Sequence, residues 1–461
     1  MKEKILSTLH TLRAYALAKG CTITLDYQEE DSSLMRFANS AISLNTNEHL
    51  IRLGITAYEG RKRASYDLIT DLDKLDEMKK GVDIAVEMVA HAQPLEYEPT
   101  LPNFTASFAD ESGYDAVLAD LPNEEKLAYF NTAVKGLETE EIRLSGIFAN
   151  GGNTLAQINT LSEHTQFFRM SDAYTTVVLA HARLKWEVQS EQSAHSKAAL
   201  NPGAIQRDLR FLLERYLHDT PQSLPLGKYD IVFGSAAIAD MLNFMNWIAF
   251  NGGSMKRGYS MVAEDKIGQK VLSDKVTLVD DPARAETFPF QRDLMGMVHP
   301  RFPLFDQGVF HGYTWYQDDA DEFGAQPTGH TLMHKSLVLQ GGEKDLRSLE
   351  ALVNMPRDND LLYIPFLHYM NIVNPVKGII TASSRFGALY LKKDGSVAVP
   401  YNVRITQSLL DIFGEKVAWL AKQTVPYNMS NSYGARNPSA IVVPLFMCVK
   451  DLEISNSNTS Y

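Results

Sequence analysis

Only two cysteines, Cys21 and Cys448, occur in 461 residues, and they stand far apart among apolar neighbours. No disulfide framework is implied, and a reducing, cytoplasmic compartment fits this usage. Long hydrophobic runs are also missing. The opening segment MKEKILSTLHTLRAYALAKG is broken by Lys2, Glu3, Lys4, Ser7, Thr8, His10 and Arg13, which excludes a signal-peptide core. The most apolar stretch, 235–252, is interrupted by Asp240, Asn243 and Asn246 and is too short to span a bilayer. Positive charge is in deficit: 44 lysines and arginines face 56 aspartates and glutamates, and the net charge of −12 repels a phosphate backbone. The one dense basic cluster, Arg61, Lys62 and Arg63, follows the Glu59-Gly60 turn and reads as a solvated strand end. The sequence therefore predicts neither a nucleic-acid partner nor a membrane location.

Catalytic motifs are equally scarce. Neither Ser235 nor Ser254 completes the Gly-x-Ser-x-Gly elbow, and Ser235 reads instead as a helix N-cap. The glycines of NGGSMKRG (251–258) lack the spacing of a phosphate loop and read as the end of the preceding helix. His330 and His334, in TGHTLMHKS, are the one close histidine pair at helical spacing. Loop formers precede them and a strand-like Leu337-Val338-Leu339 follows. In an extended chain their α-carbons stand roughly 13 Å apart, too far to share an ion easily. A metal site on His330 and His334, with His299 or His311 as further ligands, is therefore only an alternative. Asp280-Asp281 offers two carboxylates for acid and base work, but a turn before Pro282 explains the same residues.

What is present is an ordinary globular composition, 45% hydrophobic and 22% charged, in a chain long enough for two domains. HDTPQSLPLGK divides it into segments 1–220 and 229–461. Helical periodicity marks Ile5 to Ala16, a stripe from Leu72 to Val89, residues 124 to 137, a helix opened by Asn201-Pro202, and the run 235–250. Alternation marks strands at 51–57, 141–150, 154–160 and 174–186, with Gly151-Gly152-Asn153 as a hairpin turn. Residues 93–122 read as a proline-rich loop. Strands at 229–233, 308–316, 337–340 and 440–449, a hairpin at Asp394-Gly395, a helix at 406–424 and a disordered tail complete the second segment. Strands and helices mix without strict alternation, so the expected class is α+β, two-domain, with mixed or antiparallel sheets and packed helices.

Several segments in a shared order resemble the TldD/PmbA family, known for paired metallopeptidase subunits and formerly called modulators of DNA gyrase. They are YDIVFGSAAIADML (229–242), KIGQKVLSDKVTLVDDP (266–282), PTGH (327–330) and FGALYLKKDGSVAVPYNVRI (386–405), with MRFANSAISLNTNEHLIRLGITAYEGRKRASYDLITD (35–71) similar to the family's first sheet. The TldD-type subunit carries His-Glu-x-x-x-His on the helix corresponding to 235–250, where the imidazoles bind zinc and the glutamate acts as base. No histidine lies between His218 and His299, so that motif is missing; the TldD-type cysteine is unmatched too. Met241, Leu242, Met245, Trp247 and Phe250 are expected to fill the space. FQRDLMG (290–296) stands where the family has an acidic FDxEG-like segment.

The resemblance thus implies a PmbA/TldE-like subunit without a metal or other cofactor of its own, paired with a TldD-like partner that holds zinc. Its expected substrate is unfolded or modified peptide. A self-associating dimer that binds a peptide or small ligand without cleaving it is the alternative. His330, Asp280 and Asp281 are the substrate-binding candidates, and no residue is assigned as catalytic. Arg36 and Asn39 are expected to hold a sheet edge.

Overall fold

The computed structural model of the chain describes residues 1–331, 335–430 and 436–458. Its helices pack on three mixed or antiparallel sheets, the α+β class expected. Ile5, Leu9, Leu12 and Ala16 line one face of the helix Lys2–Ala18, and all are buried. The helix Leu75–His91 buries Met78, Val82, Ala85 and Val89 at the same period. Both lie on a seven-stranded sheet whose inward positions include Ile23, Leu25, Ile51, Leu53 and Ile55. In the same sheet Arg36 lies on the strand Thr22–Ala38, and Asn39 takes a left-handed φ of 52° in the turn to Ala41–Glu59.

Two stretches of this sheet depart from the sequence reading. Gly151-Gly152-Asn153 is no turn but part of one unbroken strand, Ile142–Asn159. That strand is paired along both edges, with Gly151 opposite Ser32 on one side and Asp172 on the other. A Cβ on Gly151 would stand 2.1 Å from the Asp31 carbonyl oxygen, so the glycine serves close approach of backbones rather than reversal. Within 93–122, Phe108–Gly113 forms a short strand parallel to Gln166–His181.

The second half supplies a six-stranded and a nine-stranded sheet. The helix Ser235–Ile248 packs against strands of both, including Ala440–Pro444 of the first and Phe366–Asn374 of the second. Met241, Leu242, Met245 and Phe250 are fully buried. Trp247 is 56% exposed, because it falls off the stripe formed by Met241, Leu242, Met245 and Ile248. The N-cap is Gly234 rather than Ser235. Asn251 does not close this helix alone: its side chain accepts from the Ser254 N–H at 2.7 Å and opens a second short helix, Gly252–Lys256.

The helix expected at 406–424 is absent. Asn402–Ser408 is a strand that buries Val403 and Ile405 at period two, Leu409–Ile412 is a single helical turn, and Val417–Leu420 is a strand on Phe446–Asn458. Pairing with neighbours on both sides decides the conformation there. The Asp394-Gly395 hairpin forms as expected, with Tyr390 opposite Ala398 and Gly395 at φ 90°. Residues 455–458, expected in a disordered tail, continue the strand Phe446–Asn458.

One buried ion pair fastens the seven-stranded sheet to the rest. The Arg436 guanidinium donates to Asp172 Oδ1 through Nε at 2.8 Å and Nη2 at 2.6 Å. Asn428 Nδ2 and Ser430 Oγ each donate to Asp172 Oδ2 at 3.0 Å. The Arg436 backbone N–H donates to Glu30 Oε2 at 2.9 Å, which also accepts from Arg52. Arg63, read as solvated, instead pairs with Asp318 across the halves at 2.7 Å.

Asp172→Ala leaves the buried guanidinium without its main partner and should lower stability by about 3–5 kcal/mol in urea denaturation. Gly151→Ala should cost about 2–3 kcal/mol in the same measurement, because backbone rather than a flexible side chain blocks the added methyl.

Candidate functional site

Asp280 ends the short strand Leu278–Asp280 and has a partner on each side, Phe302 and Leu337. This central position leaves its carboxylate no exposure. Oδ1 accepts from the Ser336 N–H at 2.9 Å and lies 3.0 Å from His299 Nε2. Oδ2 lies 3.5 Å from His330 Nε2. The two imidazoles meet edge to face with ring centroids 4.8 Å apart, and Phe302 flanks His330.

The structure thus brings Asp280 and His330 together and adds His299, which the sequence had offered only as an optional ligand. Asp281 is turned away: its Oδ1 accepts from the Ala283 N–H at 3.1 Å and shapes the turn before Pro282. His311 is exposed and outside the cluster. His334 lies outside the described residues, so the His330–His334 pairing has no structural description.

Burial opposes protonation of His299, but the hydrogen bond and charge of Asp280, with the Phe290 carbonyl, outweigh it and raise the pKa. Burial drives His330 down to about 4 against the pull of Asp280, with the His299 and Lys335 charges acting in the same direction as burial. Lys335 is buried beside the cluster and is lowered by burial to about 8. His330 also lines a cavity of about 390 Å³ between the seven-stranded sheet and the second half, with Asp26, Tyr58, Arg63 and Asp293 on its walls. Burial raises Asp293 to about 6, while backbone N–H groups of Met297 and Met295 work the other way.

A second cavity, of about 400 Å³, lies where Gly234, Ser235 and Ala236 at the start of the Ser235–Ile248 helix face the strand Glu187–Ala194. That strand pairs with Gln166–His181 along one edge, and among the described residues no strand pairs with its other edge. Glu191 on this strand is raised well above the ordinary carboxylate range, first by burial and then by the charge of Asp240. Burial raises Asp208 to about 6 and Asp240 to about 7. The Thr175 and Ser193 hydroxyls at the cavity wall are buried without hydrogen-bond partners among the described residues. Of these carboxyl groups Glu191 and Asp208 line the cavity, and with the hydroxyls they offer polar atoms able to meet peptide amides.

Residues 226–456 match the family model described as PmbA/TldA metallopeptidase C-terminal domain. The chain belongs to the PmbA/TldD family. TldE from Thermococcus kodakarensis has the same fold, with a TM-score of 0.81 over 97% of this chain and 100% of that one at 15% identity. Proteins solved as proposed modulators of DNA gyrase share it too. The one from Thermotoga maritima gives 0.74 at 15% identity, over 97% of this chain and 99% of that one. The one from Bacteroides thetaiotaomicron gives 0.73 at 17% identity, over 98% of each. No curated protein matches the chain by sequence.

PmbA/TldD membership raises the question of zinc on the Ser235–Ile248 helix. The residues there do not fit it. Asp240 is the helix's one ionisable side chain, and its buried face is alanine, isoleucine, leucine and methionine. Cys448 supplies no thiolate either, since burial in the strand Phe446–Asn458 pushes its thiol up to about 12. Glu191 and Asp208 were not among the sequence candidates, because only tertiary packing brings them to the start of the Ser235–Ile248 helix.

The raised Asp240 carboxyl has a measurable consequence. Its ordinary value is 3.8, so the folded chain holds this proton more tightly than the unfolded one. The stabilisation is complete below about pH 4 and is lost as pH rises through about 7. Asp240→Asn should match the parent near pH 4 and exceed it in denaturation midpoint above pH 7.

Proposed function

We propose that the chain is a PmbA/TldE-like subunit that lends structure and peptide-holding surface to a TldD-like zinc subunit in peptide proteolysis or maturation. One observation carries the reading: the helix that bears the zinc motif in TldD-type subunits is here a buried apolar strut between two sheets. The cavity at its start supports the same reading. An unpaired strand edge at Glu187–Ala194 can take an extended peptide by backbone hydrogen bonds, while the neighbouring carboxyl groups add polar contacts. Two unpaired cysteines are in keeping with work in a reducing, cytoplasmic setting.

Hydrolysis then belongs to the partner, and this subunit closes the chamber around unfolded or modified peptide. Cleavage of an unstructured peptide, measured for each chain alone and for the mixture after zinc loading, tests this. Chelator-sensitive cleavage that is strongest in the mixture is the expected result. Cleavage by this chain alone, or no effect of it on a TldD-like subunit while it binds peptide as a self-associated dimer, would overturn it.

A further inference from the structure

With both imidazoles neutral, the cluster around Asp280 is short of hydrogens. His299 Nδ1 lies 2.8 Å from the Phe290 carbonyl oxygen, which can only accept, so Nδ1 carries the hydrogen. His330 Nδ1 lies 2.8 Å from Thr328 Oγ1. That hydroxyl gives its single hydrogen to the Trp315 carbonyl at 3.2 Å and accepts from the Trp315 N–H at 2.8 Å. With the hydroxyl hydrogen on that carbonyl, Oγ1 accepts from the His330 Nδ1–H. In that arrangement, with both rings neutral, each imidazole turns a bare Nε2 lone pair toward one buried carboxylate.

His330 Nε2 and Asp280 Oδ2 are both buried, and among the described residues neither has a hydrogen-bond partner. The three ligand atoms lie within 4.8 Å of one another. Asp280 meets the imidazoles through different oxygens, Oδ1 at 3.0 Å from His299 Nε2 and Oδ2 at 3.5 Å from His330 Nε2, and neighbouring ligand atoms around a zinc-type ion with bonds of about 2.0–2.2 Å stand roughly as far apart.

We infer that Asp280, His299 and His330 form a binding site for one first-row divalent cation of the zinc type, separate from the Ser235–Ile248 helix. Two imidazoles and a carboxylate are the donor set such ions take. Each imidazole has an outer partner on Nδ1: the Phe290 carbonyl, which fixes the metal-binding tautomer of His299, and the Thr328 hydroxyl, which can accept from His330 in the same tautomer. The ion would join the end of the strand Leu278–Asp280 to the loops carrying His299 and His330, at the wall of the 390 Å³ cavity. Lys335 is the charged neighbour that opposes it, and Asp293, which feels the His299 charge, the one that favours it. This site is independent of the accessory-subunit reading, because it requires neither a partner nor peptide cleavage.

Metal-free full-length protein, loaded separately with zinc chloride and cobalt chloride and dialysed, provides the test. Elemental analysis should find about one equivalent per chain, zinc should raise the melting temperature, and cobalt should give the visible bands of a low-symmetry nitrogen and oxygen site. Thr328→Val should weaken binding by about 10–100-fold by freeing the His330 ring, with the circular dichroism unchanged. The double variant His299→Gln/His330→Gln should lose the metal. No stoichiometric uptake by the parent chain would show that a proton on His299 or the Lys335 ammonium completes the cluster, and would overturn the inference. Undiminished uptake by a folded double variant would do the same, and the cobalt spectrum of the parent chain decides the matter if that variant does not fold.

Discussion

Both cavities lie where the seven-stranded sheet meets the second half of the chain, and the buried Arg436 is the charge that ties the two together. A guanidinium at 3% exposure is stable only if its donors are met, and Asp172, itself fully buried, meets three of the contacts with its carboxylate and backbone carbonyl. Asn428 and Ser430 occupy the other carboxylate oxygen. Apolar packing continues the join: Phe37, Leu118, Trp186 and Tyr216 share one hydrophobic cluster with Val232, Leu352 and Cys448. Such packing sets distance, whereas the ion pair sets register, since a shift of the sheet by one residue would strand a buried charge.

Within that frame the Ser235–Ile248 helix acts as a spacer. Its apolar stripe meets two sheets at once, and alanines at 236, 237 and 239 let those sheets approach while methionines at 241 and 245 fill the uneven gaps. A helix of this composition has little room for metal chemistry and every requirement for close packing. Polar side chains gather instead near its start and in the loops around Asp280, where carboxylates and imidazoles meet.

Helices with a clear stripe, such as Lys2–Ala18, Leu75–His91 and Pro202–Tyr216, were legible because their burial follows local periodicity. So was the Asp394-Gly395 hairpin, whose turn chemistry agrees with its surroundings. Gly151-Gly152 misled because the same residues serve a turn or a crowded central strand, and only the neighbouring strands decide between them. Residues 406–424 misled in a similar way, short strands being read as one helix. Asp280 and His330 could be singled out from sequence, yet their contact could not. His299 entered the cluster through the antiparallel pairing of Phe302 with Asp280, a long-range register that leaves no local signature.

The strand Phe446–Asn458 lies inside the nine-stranded sheet, between Asn402–Ser408 and Gly227–Gly234. During synthesis it emerges after both of its neighbours. Until residue 458 has left the ribosome, the edge of Gly227–Gly234 that it will cover stays open, and the methionine-rich face of the Ser235–Ile248 helix lacks part of its floor. The half-made chain therefore carries exposed strand edge and apolar surface through most of the translation of its second half, a state that invites holding by chaperones and penalises any stall before that strand is made.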